Sequence, residues 1–249
     1  MIDLETRGDI TVLRMTHGKA NAMDLEFCEA LRARVGECRR STARALVVTG
    51  VGKMFSAGVD LPRLVDGGAT YVRRFLPAIN KAFEALFSFP KPLVAAVNGH
   101  AIAGGCIMAC AADYRMMARE PGRIGIPELL VGVPFPAAPL EIMRFAAPPQ
   151  HLQTLIYRGL TLTADAALQY GLVDTVVDPD GLLAEAIAMA ETMATVPASA
   201  FALTKAQLRE PALQRIRAGA AVDAAVEEVW AAPETLTTIR EYIARTFKR

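Results

Sequence analysis

The chain has 249 residues, of which 53% are hydrophobic, so it can bury a large core as one α/β domain or as a main domain with a helical appendage. Its formal net charge is +1, and acidic and basic residues are dispersed along the sequence. This excludes the basic stripe that neutralises the phosphates of nucleic acid, and we expect no nucleic-acid partner.

The N-terminal segment MIDLETRGDITVLRM alternates and carries charge, without the basic start and apolar core of a signal peptide. We also find no run of about 18 uncharged apolar residues, so we expect no membrane span. The four cysteines show neither a CxxC pair nor a metal-ligand spacing, which favours structural thiols in a reduced, cytoplasmic, soluble protein.

Strands and helices alternate in the first part of the predicted layout. Ile10 to Met15 is predicted as a strand, Asp24 as the N-cap of a helix, and Ala45 to Thr49 as a buried strand. The apolar face of the helix after Asp24 is formed by Phe27, Ala30, Leu31, Val35 and Cys38.

A second amphipathic helix is predicted from Val72 to Leu86, with Pro77 causing a kink or a later start. The prolines at 90 and 92 predict the end of that helix and the start of a strand from Leu93 to Val97. A further helix is predicted from Cys106 to Asp113. This order requires crossover connections and therefore predicts a mostly parallel core sheet in an α/β fold.

From Ala164 onward the pattern is largely helical, with a strand-like stretch only from Leu172 to Val177. Two terminal amphipathic helices are predicted, one with Val222, Val226, Val229 and Trp230, and one starting near Pro233 with Leu236, Ile239, Ile243 and Phe247. Their apolar surface packs either on the chain's own core or in a subunit interface. We divide the chain into a core at residues 1–190 and a helical C-terminal oligomerisation region at residues 191–249.

Two glycine-centred segments each follow an apolar strand-like run: FSAGVDL from Phe55 to Leu61, and NGHAIAGGC from Asn98 to Cys106. Small residues let a ligand oxygen approach main-chain N–H groups, and the amides at a helix N-terminus are unpaired and partly positive. The two segments together therefore predict a pair of N–H donors suited to an oxyanion.

Six segments give the chain a resemblance to the crotonase superfamily, also called the enoyl-CoA hydratase/isomerase family, over nearly its whole length. They are NAM at 21–23, FSAGVDL, VNGHAIAGGC, ADYRMMA at 112–118, IPELLVG at 126–132 and ALQYGLVDTVV at 167–177. The resemblance implies a crotonase (ClpP-like) spiral of ββα turns with a helical C-terminal region. It also implies an acyl-CoA thioester substrate and assembly into homotrimers or dimers of trimers.

By the same resemblance, the two amides of the oxyanion hole belong to Val59 and Gly104. Hydrogen-bond donors of this kind, aimed at the enolate oxygen of a deprotonated thioester, typically supply roughly 3 kcal/mol apiece. The resemblance further assigns substrate binding to Asn21, Ala22, Met23, Ala57, Leu61, Gly105 and Ile107.

The acid/base positions depart from the pattern of the hydratases. Family members that hydrate enoyl-CoA carry two glutamates, but the first position here is Ile107, and only the second, Glu128, remains. Adding water needs a base and an acid, whereas one carboxyl group can carry a proton from C2 to C4 of a 3-enoyl-CoA. The chain is thus similar to the one-glutamate Δ3,Δ2-enoyl-CoA isomerases, with Glu128 as the proton shuttle.

Several alternatives stay open from the sequence: a hydratase, a thioester hydrolase, or a non-catalytic acyl-CoA-binding protein. Glu141 is the best substitute for the missing acid if it faces the pocket. Asp60 is expected to cap a loop, and His100 to contribute backbone alone. Coenzyme A is part of the substrate, and the sequence implies neither a separate cofactor nor a metal.

Overall fold

The computed structural model describes residues 1–246. The strands there are β1 (Ile2–Arg7), β2 (Ile10–Met15), β3 (Ala45–Thr49), β4 (Met54–Ser56), β5 (Leu93–Val97), β6 (His100–Ile102), β7 (Tyr114–Ala118), β8 (Ile124–Gly125), β9 (Thr161–Leu162) and β10 (Thr175–Val177). The helices are α1 (Leu25–Arg40), α2 (Leu61–Phe87), α3 (Gly104–Cys110), α4 (Glu128–Val131), α5 (Ala137–Ala146), α6 (Pro149–Tyr157), α7 (Ala164–Gln169), α8 (Leu182–Ala194), α9 (Ala198–Ala218), α10 (Ala220–Ala231) and α11 (Pro233–Thr246).

The chain forms a spiral in which each turn consists of two strands and a helix. In the turns β3–β4–α2, β5–β6–α3 and β7–β8–α4, the first strand joins a six-stranded sheet and the second joins a four-stranded sheet. The six-stranded sheet has the order β1-β2-β3-β5-β7-β10 and is parallel except for the β1–β2 hairpin. The predicted mostly parallel sheet is therefore confirmed.

Both faces of the large sheet are covered, which explains why β3 and β5 are buried at every position. Alternate side chains of β3 point to opposite faces. Leu46 and Val48 pack into the main core, whereas Val47 packs against α8, which contributes Leu182 and Ala186. The carboxyl ends of β3 and β5, which lead into the two glycine-centred segments, are therefore held in place by packing on both faces of the sheet.

The predicted helix capped by Asp24 is confirmed, since the Asp24 side chain accepts a hydrogen bond from the Phe27 N–H and α1 begins at Leu25. The kink or later start predicted at Pro77 is wrong. The helix α2 runs through Pro77, and its irregularity is at Gly68, which has φ 60°. Proline removes one backbone hydrogen bond from the helix, but the buried apolar face continues across it.

Two predicted boundaries differ from the structure. The helix expected at 106–113 spans Gly104–Cys110. Gly104 and Gly105 belong to its first turn, where the N–H groups have no carbonyl partner within the helix. Asp113 lies beyond this helix, where its side chain accepts a hydrogen bond from the Leu93 N–H. The strand-like stretch at 172–177 forms a strand only at Thr175–Val177.

The C-terminal helices pack back onto the core. The proposed division at residue 190 falls inside α8, which continues to Ala194. The helices α10 and α11 both pack against α2. On α10, Val226 and Trp230 are buried, but Val222 and Val229 are exposed. Only part of the predicted apolar face of this helix is therefore buried. On α11, Leu236 and Ile239 are buried, and Phe247 lies outside the described residues.

Within residues 1–246 no single helix has the length and apolar character of a membrane span, although α8 and α9, which meet at 100°, pass that test when they are joined.

Candidate active site

The two glycine-centred segments meet at Gly58 and Gly104. A Cβ atom built on Gly58 would lie 2.7 Å from the Ile102 carbonyl oxygen and 3.1 Å from the Gly104 nitrogen. Gly58 also has φ 81°, a conformation that side chains disfavour. Glycine at this position therefore allows both the turn and the close approach of the two backbones.

The direction of the Val59 amide follows from a bridge between Met23 and Val59. The Met23 N–H donates to the Gly58 carbonyl (2.7 Å), and the Asp60 N–H donates to the Met23 carbonyl (3.0 Å). In a parallel bridge of this pattern, the central residue turns its own N–H and C=O away from the partner strand. The N–H of Val59 thus points away from Met23, and Val59 lines the cavity beside Gly104.

Gly104 is the first residue of α3, so its N–H has no carbonyl partner within the helix. The preceding residue, Ala103, has φ 52° and ψ −121°, a strained conformation for a residue with a Cβ atom. Its N–H donates to the Gly125 carbonyl at 2.8 Å, which holds the turn in place. A strained backbone conformation that the surrounding structure holds in place is typical of active sites and ligand-binding sites.

A largely apolar cavity of about 630 Å³ lies next to these two amides. This volume falls within the range of small-molecule sites. Seven of the residues predicted from the sequence line it: Val59, Gly104, Glu128, Ala22, Ala57, Leu61 and Ile107. The structure therefore brings together both predicted amide positions, the retained glutamate and the aliphatic residue at the other acid position.

Glu128 is the first residue of the short helix α4, which ends at Gly132 with φ 93°. The residue is only 8% exposed, and its Oε2 atom has no hydrogen-bond partner. Loss of hydration raises the pKa of the carboxyl group to about 8, and only its own backbone N–H opposes the shift. A carboxyl group with this pKa can both take up and release a proton near neutral pH.

Three predicted substrate-binding residues do not line the cavity, namely Asn21, Met23 and Gly105, and their part in binding stays a prediction. The Asn21 side chain donates to the Phe55 carbonyl and accepts from the His17 N–H, so it holds the loop together. Met23 is buried beneath Gly104. Gly105 packs on Ser56, whose carbonyl would lie 2.4 Å from a Cβ atom at this position.

Glu141 does not replace the missing acid. It lies outside the cavity lining and accepts hydrogen bonds from Arg144 (2.9 Å) and Arg215 (2.5 Å). Asp60, which was expected to cap a loop, is instead the N-cap of α2, because its side chain accepts a hydrogen bond from the Arg63 N–H. His100 lies in β6 and lines the cavity, which the sequence did not suggest. Among the residues described, no three His, Cys, Asp or Glu side chains are grouped as metal ligands.

The sequence also did not indicate the part of the cavity formed by the C-terminal helices. Trp230 of α10 and Tyr242 and Thr246 of α11 line it. The Trp230 indole N–H donates to the Pro134 carbonyl at 2.9 Å, which ties α10 to the segment after α4. The amphipathic pattern predicted these helices, but it contains no signal for the surface that they cover.

The chain is similar to known proteins in sequence and in fold. The family model described as enoyl-CoA hydratase/isomerase matches residues 5–238. A Thermus thermophilus protein with an enoyl-CoA hydratase name is 37% identical over 166 residues, and the match spans 65% of this chain and 64% of that relative, just under two thirds of its length. The short-chain-enoyl-CoA hydratase of Clostridium acetobutylicum is 32% identical over 206 residues, which cover 81% of this chain and 78% of the relative.

A solved structure extends the likeness to three dimensions. The crystal structure of human mitochondrial Δ3-Δ2-enoyl-CoA isomerase has a TM-score of 0.93 at 25% identity, covering 99% of this chain and 98% of that one. The expected crotonase fold is therefore confirmed. Because the family model also covers nearly the whole sequence, the chain belongs to the enoyl-CoA hydratase/isomerase family.

Proposed function

We propose that the protein is an acyl-CoA isomerase that moves the double bond of a 3-enoyl-CoA to give the 2-enoyl-CoA. The observation that carries the proposal is the single unpaired carboxyl group of Glu128, which lines the cavity together with Gly104, Val59 and the aliphatic Ile107. The high TM-score with the human isomerase supports the same reaction.

In the proposed reaction, the thioester oxygen accepts hydrogen bonds from the N–H groups of Val59 and Gly104. The ionised Glu128 removes a proton from C2, and the electrons of that C–H bond move onto the thioester oxygen to form a dienolate. Each amide stabilises this charge by roughly 3 kcal/mol. The protonated Glu128 then delivers the proton to C4, the double bond settles between C2 and C3, and the carboxylate is regenerated.

Hydration is the second candidate, because most of the similar curated relatives carry hydratase names. Adding water to a 2-enoyl-CoA requires one group to activate the water and another to protonate carbon. Ile107 is 3% exposed and has no group that can do either. Glu141, which is engaged by two arginines, does not supply the second acid.

The test is to incubate the protein separately with a 3-enoyl-CoA and a 2-enoyl-CoA and to identify the products. We expect conversion of the 3-enoyl-CoA without net hydration of the 2-enoyl-CoA. The Glu128→Gln variant should lose turnover and keep acyl-CoA binding. Formation of 3-hydroxyacyl-CoA would favour the hydratase, release of free coenzyme A a thioesterase, and binding without any turnover a non-catalytic protein.

We also propose that the chain assembles into trimers or dimers of trimers. Large apolar side chains on α9 support this, since Leu203 and Leu208 are both 64% exposed. Sedimentation equilibrium distinguishes the states, and a monomer at micromolar concentration would contradict the assembly.

A further inference from the structure

A second cavity lies between α9 and the residues at 112–115 that follow α3. Its volume is about 310 Å³, which falls within the range of small-molecule sites. Among the residues described, it shares none of its lining with the cavity beside Gly104. Arg209, which lines the second cavity, donates to the carbonyl of Ala111 at the C-terminal end of α3. The two cavities are therefore separate and lie toward opposite ends of α3.

Two buried cations form the polar wall of the second cavity. Lys205 and Arg209 lie one turn apart on α9 and are only 7% and 3% exposed. Both bind the carboxylate of Asp113. The Lys205 ammonium donates to its Oδ2 atom and the Arg209 guanidinium to its Oδ1 atom, each at 2.6 Å. One carboxylate thus serves two cations, and both of its oxygens are engaged.

The cluster around this wall has an excess of positive charge. Arg115 also lines the cavity and is paired with Asp174 at 2.8 Å, so three cations share two carboxylates. The third partner that Lys205 could take is missing among residues 1–246, since its ammonium donates only to Asp113 and to the Lys91 carbonyl. The Nε atom of Arg209 likewise has no acceptor in that part of the chain. An anion in the cavity would supply both.

The charge on Lys205 is costly in this setting. Burial lowers the pKa of its ammonium group to about 7; Asp113 opposes this shift, and the nearby charges of Arg209 and Arg39 add to it. A further negative charge beside Lys205 would favour the protonated form. Anion binding and protonation of Lys205 should therefore support each other.

The remaining walls of the cavity are apolar. They are formed largely by Phe145, Met193, Phe201 and Leu208. Phe145 is 42% and Leu208 64% exposed, so this end of the cavity is open to the outside. A ligand that carries a negative charge at one end and a short hydrocarbon part at the other matches the two kinds of wall.

We propose that the second cavity binds a small amphipathic carboxylate, whose charged end lies against Lys205 and Arg209 and whose hydrocarbon part packs on Phe201 and Leu208. The proposal does not depend on the reaction at Glu128, because the two cavities share no residue among those described.

The first test is calorimetric titration with hexanoate and, as the uncharged match, hexan-1-ol. Hexanoate should bind at least about tenfold more tightly, because its carboxylate accepts ionic hydrogen bonds that the alcohol cannot match. Equal affinity of the two compounds, or no binding of hexanoate, would overturn the proposal.

Variants of α9 locate the ligand. Leu208→Glu places a negative charge at the mouth and should weaken hexanoate binding about tenfold or more. Leu203→Glu is the matched control, because Leu203 is also 64% exposed on α9 but does not line the cavity. Its Kd should equal that of the wild type. Lys205→Met removes the ammonium group and should weaken binding as well. An unchanged Kd in folded Leu208→Glu would place hexanoate elsewhere and overturn the assignment.

Proton uptake tests the contact with Lys205 itself. At pH 8 this side chain is mostly neutral, so hexanoate binding should take up as much as about one proton. Calorimetry in two buffers with different ionisation enthalpies measures this number. The uptake should disappear in Lys205→Met, and binding of hexanoate to the wild type without any uptake would contradict the contact.

Discussion

The buried carboxyl group of Glu128 should make the protein less stable as the pH rises. Its pKa is about 8 in the folded protein against an ordinary value of 4.5, because burial removes the hydration of the charged form. Between these two values the folded state binds more protons than the unfolded state. The free energy of unfolding therefore falls with increasing pH, by up to about 1.4 kcal/mol per pH unit.

Glu128→Gln keeps the shape of the side chain and removes its titration, so the variant should gain stability relative to the wild type as the pH increases. Over the range from pH 5 to pH 8 the relative gain should reach a few kcal/mol. For a chain of this size that corresponds to a Tm difference on the order of 5–10 °C. Any constant cost of burying the amide does not change with pH, so the slope of the difference is the quantity to test.

The assay is thermal unfolding of wild type and variant at several pH values from 5 to 9. Glu29→Gln, at an exposed position on α1, is the control and should not show this increase. A Tm difference between Glu128→Gln and wild type that stays constant, or that shrinks as the pH rises, would refute the idea of an unpaired buried carboxyl group. In the same range, kcat/KM of the wild type should rise about tenfold per pH unit up to about pH 8, because the carboxylate is the base.

Three further predictions concern other positions. Ile107→Glu should introduce measurable hydration of a 2-enoyl-CoA, whereas Ile107→Gln should not; product analysis checks both, and equal activity in the two variants would contradict the need for a second acid. Gly58→Ala should cost more than 2 kcal/mol of stability in denaturant unfolding, against about 1 kcal/mol for Gly52→Ala, since both residues have positive φ but only Gly58 meets neighbouring backbone. Glu141→Gln should lower stability by about 1–3 kcal/mol with little change in kcat, because Arg144 and Arg215 lose a charged partner outside the cavity. A large loss of kcat in this variant would show that Glu141 takes part in the reaction.

The sequence predicted well those features that depend on local chemistry. The cap at Asp24 and the prolines at 90 and 92 are examples, because each acts on the backbone within a few residues. The meeting of the two glycine-centred segments was also predictable, since both follow parallel strands whose carboxyl ends lie on one edge of a sheet.

Other features depend on distant parts of the chain and were not predictable from pattern alone. The break in α2 lies at Gly68 rather than at Pro77, because packing holds the helix across the proline. Asn21 and Met23 are close to the site in sequence and in space, but their hydrogen bonds and burial turn them away from the cavity. The cover formed by Trp230 requires a contact between residues almost 100 positions apart.

Transfer of a labelled proton tests the single-carboxylate mechanism most directly. A 3-enoyl-CoA carrying two deuterium atoms at C2 is converted in ordinary water, and the product is examined by mass spectrometry and NMR. Because the Glu128 carboxyl group is buried and its Oε2 atom has no partner, we predict that a measurable fraction of the deuterium appears at C4 of the 2-enoyl-CoA. Complete loss of the label to solvent, together with a hydroxyl group at C3 of the product, would contradict the mechanism.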